Sequence, residues 1–282
     1  MRTPITFLLT CLLCVCTDSA PATRAPDVGS GFALRRAHAH NDYEHQRPLL
    51  DALELGFGSV EADVWLLPLG SELYVAHDLA AIRPQRTLRT LYLDPLAQRV
   101  AEEGGSVYAG EAFSLQLLVD IKSDAAKTYA ALEAQLEPYR ALLSCVEHGV
   151  LRSGAVTVVL SGNRPYDTLA TQAMRCAFHD GRIGDLDSSD PATLMPLISD
   201  NWDALFDWRG EGMMPDEQRA RLRDDVGRAH AANRHVRFWG TPDAPGTARE
   251  AVWAELLAAD VDYLNTDDLA GLAAWLRARG NP

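Results

Sequence analysis

The chain has 282 residues, 47% of them hydrophobic and 23% charged, which supplies a full globular core and excludes a disordered or fibrous chain. Its 39 acidic against 26 basic residues leave a net charge of −13, which excludes general nucleic-acid binding, because that needs a basic footprint. An anionic small molecule stays open as a substrate, provided that a local cation offsets the repulsion.

In chain order, Met1-Arg2 precedes an apolar run from Ile5 to Cys16 that only Thr6 and Thr10 interrupt, followed by Thr17-Asp18-Ser19-Ala20-Pro21-Ala22. A cation, a short apolar stretch and small residues are the pattern of a secretory signal segment over residues 1–22, too short to span a bilayer comfortably. The pattern predicts a secreted or periplasmic protein cleaved near Ala20 or Ala22, with lipid attachment at Cys14 or Cys16 left open. Residues 23–33 read as a linker, and no later segment is long and apolar enough to be transmembrane. Outside the signal only Cys145 and Cys176 are left, either paired as a disulfide in an oxidising compartment or present as two buried thiols.

From residue 34 apolar runs of β type alternate with helical patterns. Strands are expected at Ala33–His40, Ser59–Val64, Leu115–Ile121, Ala155–Leu160, Arg175–His179, Ala204–Trp208, His235–Trp239 and Val261–Asn265. Helices are expected at Leu49–Leu55, Leu88–Glu103, Ala125–Leu143, Asp216–Ala232, Ala248–Ala259 and Leu269–Arg279. Pro48 opens the first helix and Gly56 closes it. The strands are continuous apolar runs, as expected when both faces are covered. The fold class is therefore α/β: a single (β/α)8 TIM barrel over residues 34–282, with Glu72–His77 as a small hairpin strand after strand two. An open doubly wound sheet is the rival, weakened because no Gly-rich phosphate loop follows any strand.

In such a barrel function collects at the C-terminal strand ends. His40-Asn41 ends the first strand. Glu61 and Asp63, two apart near the end of the second, point to one side of the sheet. Asp120 and Lys122 repeat that spacing on the third. The later strands end in Ser161-Gly162-Asn163-Arg164, His179-Asp180, Asp207-Trp208-Arg209, Trp239-Gly240 and Asn265-Thr266-Asp267. Polar residues at all eight ends, after apolar interiors, read as one site. A buried Glu-x-Asp pair is costly unless cations satisfy it. With His40 before it and His77 after it, the set suits metal-assisted acid–base cleavage of an anionic ester. Arg164 is expected as a phosphate clamp or a helix-start residue, and Trp239 as packing or as a wall of the pocket. His38 and His40 share a face, and one of the two is expected to be a structural neighbour, hydrogen-bonded inside the barrel.

The ordered set His40, Glu61-x-Asp63, His77-Asp78, Asp120-x-Lys122, with the closing Val261-Asp262-Tyr263-Leu264-Asn265-Thr266-Asp267, resembles the glycerophosphodiester phosphodiesterase and phosphatidylinositol-specific phospholipase C superfamily. Within it the chain is similar to the branch of altered inheritance of mitochondria protein 6. The resemblance implies a phosphoric diester hydrolase acting on a glycerophosphodiester- or phospholipid-like substrate. It implies His40 and His77 as acid and base, Lys122 as a stabiliser of negative charge, and Asn41, Glu61, Asp63 and Asp120 as ligands of one Ca²⁺ or Mg²⁺ ion. The chain departs from typical glycerophosphodiesterases in having His40-Asn41-Asp42 in place of His-Arg-Gly, and Asp120 in place of Glu. Two other readings stay open: a zinc amidohydrolase-type barrel built on His38, His40, His179 and Asp267, and a non-catalytic barrel that binds head groups.

Overall fold

Eight apolar runs become parallel strands: β1 (Leu34–Ala39), β2 (Phe57–Leu66), β3 (Leu115–Ile121), β4 (Val156–Gly162), β5 (Ala177–Gly181), β6 (Leu197–Asn201), β7 (His235–Trp239) and β8 (Tyr263–Thr266). Each pairs with the next, and β8 returns to β1 with Ala37 beside Leu264, so that the sheet closes. This computed structural model describes residues 33–280; the expected signal segment and the linker as far as residue 32 lie outside the described residues. None of its helices is long and apolar enough to cross a membrane.

Helices follow the strands: α1 (Leu50–Glu54), α2 (Asp94–Glu102), α3 (Ala125–Leu136), α4 (Tyr166–Thr171), α5 (Trp202–Leu205), α6 (Asp216–Ala231), α7 (Thr247–Ala258) and α8 (Leu269–Ala278). Alternation along the strands builds two cores. Leu117, Val119 and Ile121 of β3 belong to the large cluster that includes Leu132 and Leu136 of α3. Leu118, Val159, Phe178, Leu197 and Tyr263 form a separate, smaller cluster. In register, Leu118 lies beside Glu61, and Asp120, two residues on, lies beside Asp63 and Ser161. The barrel interior is thus an apolar plug with a polar layer above it at the C-terminal mouth.

The expected hairpin is present. Leu73–Val75 runs antiparallel to the end of β2, with Val75 beside Val64. Backbone and side-chain bonds, Ala76 N–H to the Asp63 carbonyl (3.2 Å) and Trp65 Nε1–H to the Ala76 carbonyl (2.9 Å), hold the chain just before His77 against β2.

Helices α4 and α5 were not expected, α3 ends at Leu136 and not Leu143, and two features of the sheets differ from the sequence expectation. The sixth strand is Leu197–Asn201, not Ala204–Trp208. Its Ser199-Asp200-Asn201 end puts polar groups on the barrel, whereas Asn201 caps α5 by accepting from the Asp203 N–H (2.9 Å). The apolar residues that suggested a strand pack as an aromatic cluster instead, with Trp202 against Phe206 (4.3 Å between centroids) and Phe238 (5.8 Å). The sixth strand end is therefore Asp200-Asn201 in place of Asp207-Trp208-Arg209. A small antiparallel sheet of Cys145–Glu147, Val150–Arg152 and Met174–Arg175 was not anticipated. Beside it Cys145 and Cys176 form a disulfide.

Candidate active site

The register of β2 against β3 assembles the acidic residues. Asp63 and Asp120 are direct neighbours across the ladder, and Glu61 lies one inward position below Asp63. One oxygen of each of the three lies within 4.8 Å of the others. They line a cavity of about 560 Å³ at the barrel mouth together with His40, Asn41, His77, Lys122, Arg182, Arg237 and Trp239. Lys122 Nζ stands 3.1 Å from Asp63 Oδ2 and 3.2 Å from Asp120 Oδ2.

His40 follows β1 and is held from one side, its Nδ1 2.8 Å from Asp267 Oδ1 at the end of β8. Burial alone would lower its pKa, but the hydrogen bond to Asp267 and the charge of Glu61 carry it above the ordinary imidazole value. The next residue, Asn41, is in the left-handed region (φ 46°). The Tyr43 hydroxyl lies 2.7 Å from both Asn41 Oδ1 and Asp63 Oδ2, linking the amide to the acidic cluster. His77 is exposed at the rim, with Asp78 3.5 Å away.

The three acids differ in environment. Glu61 is buried, yet Arg237 Nη1 at 2.8 Å and His38 at 3.1 Å hold it well below the usual carboxylate range, against the effect of burial. Asp63 is pushed up to about 7 by burial and then by the charge of Glu61, and burial also raises Asp120. Their Oδ1 atoms are buried without a hydrogen-bond partner. Three carboxylates facing two cations, with two orphaned oxygens, suit a hard divalent cation. Those residues fit such an ion.

His38 lies beneath His40. Its Nδ1 is 2.7 Å from Ser59 Oγ, its Nε2 meets Glu61 and Arg237, and burial lowers it to about 3. Both ring nitrogens are engaged, as expected of a residue hydrogen-bonded inside the barrel. His179 lines a different cavity, so the zinc set of His38, His40, His179 and Asp267 is not assembled. Arg164 also lines that adjoining cavity and not the acidic one. The cause is local: Gly162 turns the chain after β4 (φ 66°), and Asn163 Nδ2 is tied to the Ser123 carbonyl (2.9 Å). Trp239 does wall the acidic cavity.

Sequence reasoning missed Arg237, Arg182 and Tyr43, and it gave Asp267 no part in the hydrolase site. Arg237 carried a signal, since a charged residue between Val236 and Phe238 of an apolar strand demands a buried counter-charge. Arg182, just past β5, binds the fully buried Asp180 (2.7 Å), which also accepts from Ser161 and Ser199.

Barrel and cavity together define a phosphodiesterase-like (β/α)8 protein. Residues 27–180 match the family described as the AIM6-like phosphodiesterase domain, and residues 235–270 match the glycerophosphoryl diester phosphodiesterase family. The chain belongs to the AIM6-like phosphodiesterase domain family. It is 34% identical over 264 residues to altered inheritance of mitochondria protein 6 of Eremothecium gossypii, covering 84% of this chain and 68% of that protein. It is 29% identical over 278 residues to the homolog of that protein in Arthroderma benhamiae, covering 90% and 88%. Among solved structures it is similar to the glycerophosphodiester phosphodiesterase from Agrobacterium tumefaciens str. C58, with a TM-score of 0.47 at 15% identity over 85% of this chain and 99% of that one. A phosphatidylinositol-specific phospholipase C from Listeria monocytogenes gives a TM-score of 0.42 at 8% identity over 84% and 85%.

Proposed function

We propose that the chain is a phosphoric diester hydrolase that requires one Ca²⁺ or Mg²⁺ ion and acts on a small-molecule or lipid-derived phosphodiester, of glycerophosphodiester or phospholipid type. One observation carries this reading: two imidazoles, three converging carboxylates and a lysine line a single cavity at the barrel mouth. The Asp267 bond favours His40 as the base, because with Nδ1 held by the carboxylate, Nε2 is the nitrogen left to take a proton. It takes that proton from the attacking hydroxyl, whether of water or of the substrate itself. His77, on the hairpin loop, gives a proton to the leaving oxygen. Lys122 offers its ammonium to the negative charge that grows on the phosphoryl group, and Trp239 walls the substrate. Glu61, Asp63, Asp120 and Asn41 would hold the cation, which when bound would neutralise charge and polarise a phosphoryl oxygen. The same reading has the protein exported after loss of its signal segment, in keeping with the Cys145–Cys176 disulfide.

The test is hydrolysis of bis(p-nitrophenyl) phosphate by chelated protein resupplied with Ca²⁺, Mg²⁺ or Zn²⁺. Activity should return with Ca²⁺ or Mg²⁺, and His40→Ala should lower kcat by roughly 10²–10⁴-fold; His77→Ala should do so on an alkyl diester such as glycerophosphocholine, whose leaving oxygen needs a proton. Full activity in His40→Ala, in His77→Ala on the alkyl diester, or in the chelated protein, would overturn the reading.

A further inference from the structure

A second cavity, of about 740 Å³, adjoins the first; the two share Gly162 and Asn163. Arg164, Tyr166 and His179 line it, with Asp185 and Asp190 among the other residues. Among the described residues the Arg164 guanidinium makes no hydrogen bond and no ion pair, and its Nη1 is sealed from solvent without a partner. His179 is only 5% exposed, and its Nδ1 is likewise without a partner. Those two atoms are closed off, so a ligand would meet the guanidinium and the imidazole through their other nitrogens, and with no protein partner on either side chain these are free to bind one. The neighbouring acids do not fill that role. Asp185 is occupied by the Arg182 N–H (2.8 Å), and Asp190 by the hydroxyls of Tyr166 (2.8 Å) and Ser188 (2.8 Å).

We propose that this pocket takes an oxyanion, a carboxylate or a phosphate monoester, carried on the alcohol part of a phosphodiester whose phosphorus lies in the acidic cavity next door. The proposal rests on the hydrolase reading for the diester, while Arg164 and His179 define the subsite. A guanidinium presents paired N–H donors that match two oxygens of one oxyanion, and the imidazole adds a further nitrogen. Asp185 and Asp190 on the same pocket favour an anion accompanied by an ammonium or hydroxyls over a bare one. Tyr166 stands edge-on to the His179 ring (5.2 Å between centroids) and fixes it beside the guanidinium.

Calorimetric titration of the full-length protein tests this with two pairs of probes that need no turnover. O-phosphoserine and O-phosphoethanolamine differ by one carboxylate; inositol 1,4-bisphosphate and inositol 1-phosphate differ by one phosphate. The member with the extra anion in at least one pair should bind roughly tenfold more tightly, and Arg164→Gln should abolish that difference. A gain confined to the first pair identifies an amino-acid head group, and a gain confined to the second a phosphorylated polyol. Equal affinities within both pairs overturn the proposal, as does a difference that survives in Arg164→Gln. The comparison within a pair on the unaltered protein stands even if the variant fails to fold. A protein that hydrolyses bis(p-nitrophenyl) phosphate yet shows no difference keeps the hydrolase reading and loses the subsite; the converse result keeps the subsite alone.

Discussion

Glu61 is 4% exposed, and a lone carboxylate there would be strongly penalised by desolvation; Arg237 and His38 are what keep it ionised. Removing one partner of a buried pair leaves an uncompensated charge. Arg237→Met should therefore cost about 3–5 kcal/mol in urea unfolding, and adding Glu61→Gln should recover much of the loss. Additive costs in the double variant would show that the pair is not coupled. His40 carries a second prediction. The Asp267 carboxylate favours the imidazolium, raising the His40 pKa, while a base must be neutral to act. Asp267→Asn should thus move the acidic limb of the pH–rate profile down by roughly one unit. It should also lower kcat, since the ring loses its orienting partner. A limb that stays in place would remove His40 from the role of base. Of these residues His40, Glu61 and His77 were legible in the sequence, because spacing and residue type announce them. Asp267 and Arg237 act across the barrel, from strands β8 and β7, and only closure brings them to β1 and β2.

At the scale of elements, a strand's lateral neighbours decide which side chains meet, and no local pattern in the sequence reports register. Asp63 and Asp120 are 57 residues apart in the chain and adjacent in the ladder. The turn after β4 shows how tightly this is built. Gly162 has φ 66°, and a Cβ there would stand 2.0 Å from Asp120 Oδ1 and 2.6 Å from the Ile121 carbonyl. Gly162→Ala should cost about 1–2 kcal/mol from the left-handed backbone alone. More tellingly, it should weaken Ca²⁺ or Mg²⁺ binding, because Asp120 must move to admit the methyl; calorimetry on the folded variant reads this directly. Unchanged cation affinity would mean that the Asp120 oxygen beside Gly162 is not a ligand. The boundaries of β3 and β7 were readable to the residue because both are bounded apolar runs. The sixth strand was not: Ser199 and Asp200 break its apolar run, while Leu205 and Phe206 supply one to a segment that packs outside the barrel.

For the whole molecule, closure of an acidic chain (net charge −13) gathers three of its 39 acids at a single mouth. The (β/α)8 pattern was legible because strands buried on both faces read as continuous apolar runs, and the pairing of β8 with β1 removes the open-sheet rival. The acidic cluster is a whole-molecule property as well, and as a metal site it would oppose folding unless a cation joined it. Three carboxylates brought within 4.8 Å repel one another, and desolvation already drives Asp63 up to about 7. A ligand that binds only the folded chain stabilises it by about 2.7 kcal/mol at a hundredfold excess over Kd. For a domain of this size that amounts to a rise in Tm of roughly 5–10 °C. Chelated protein should therefore melt lower than protein given Ca²⁺ or Mg²⁺, and the rise should be largely lost in Asp120→Asn. Lowering the pH toward 5 should shrink it too, because a carboxyl with a raised pKa is protonated there and a proton competes with the cation. A melting temperature indifferent to both ions, or a full rise in Asp120→Asn, would mean that Lys122 and Arg237 alone balance the acids and that the site holds no cation.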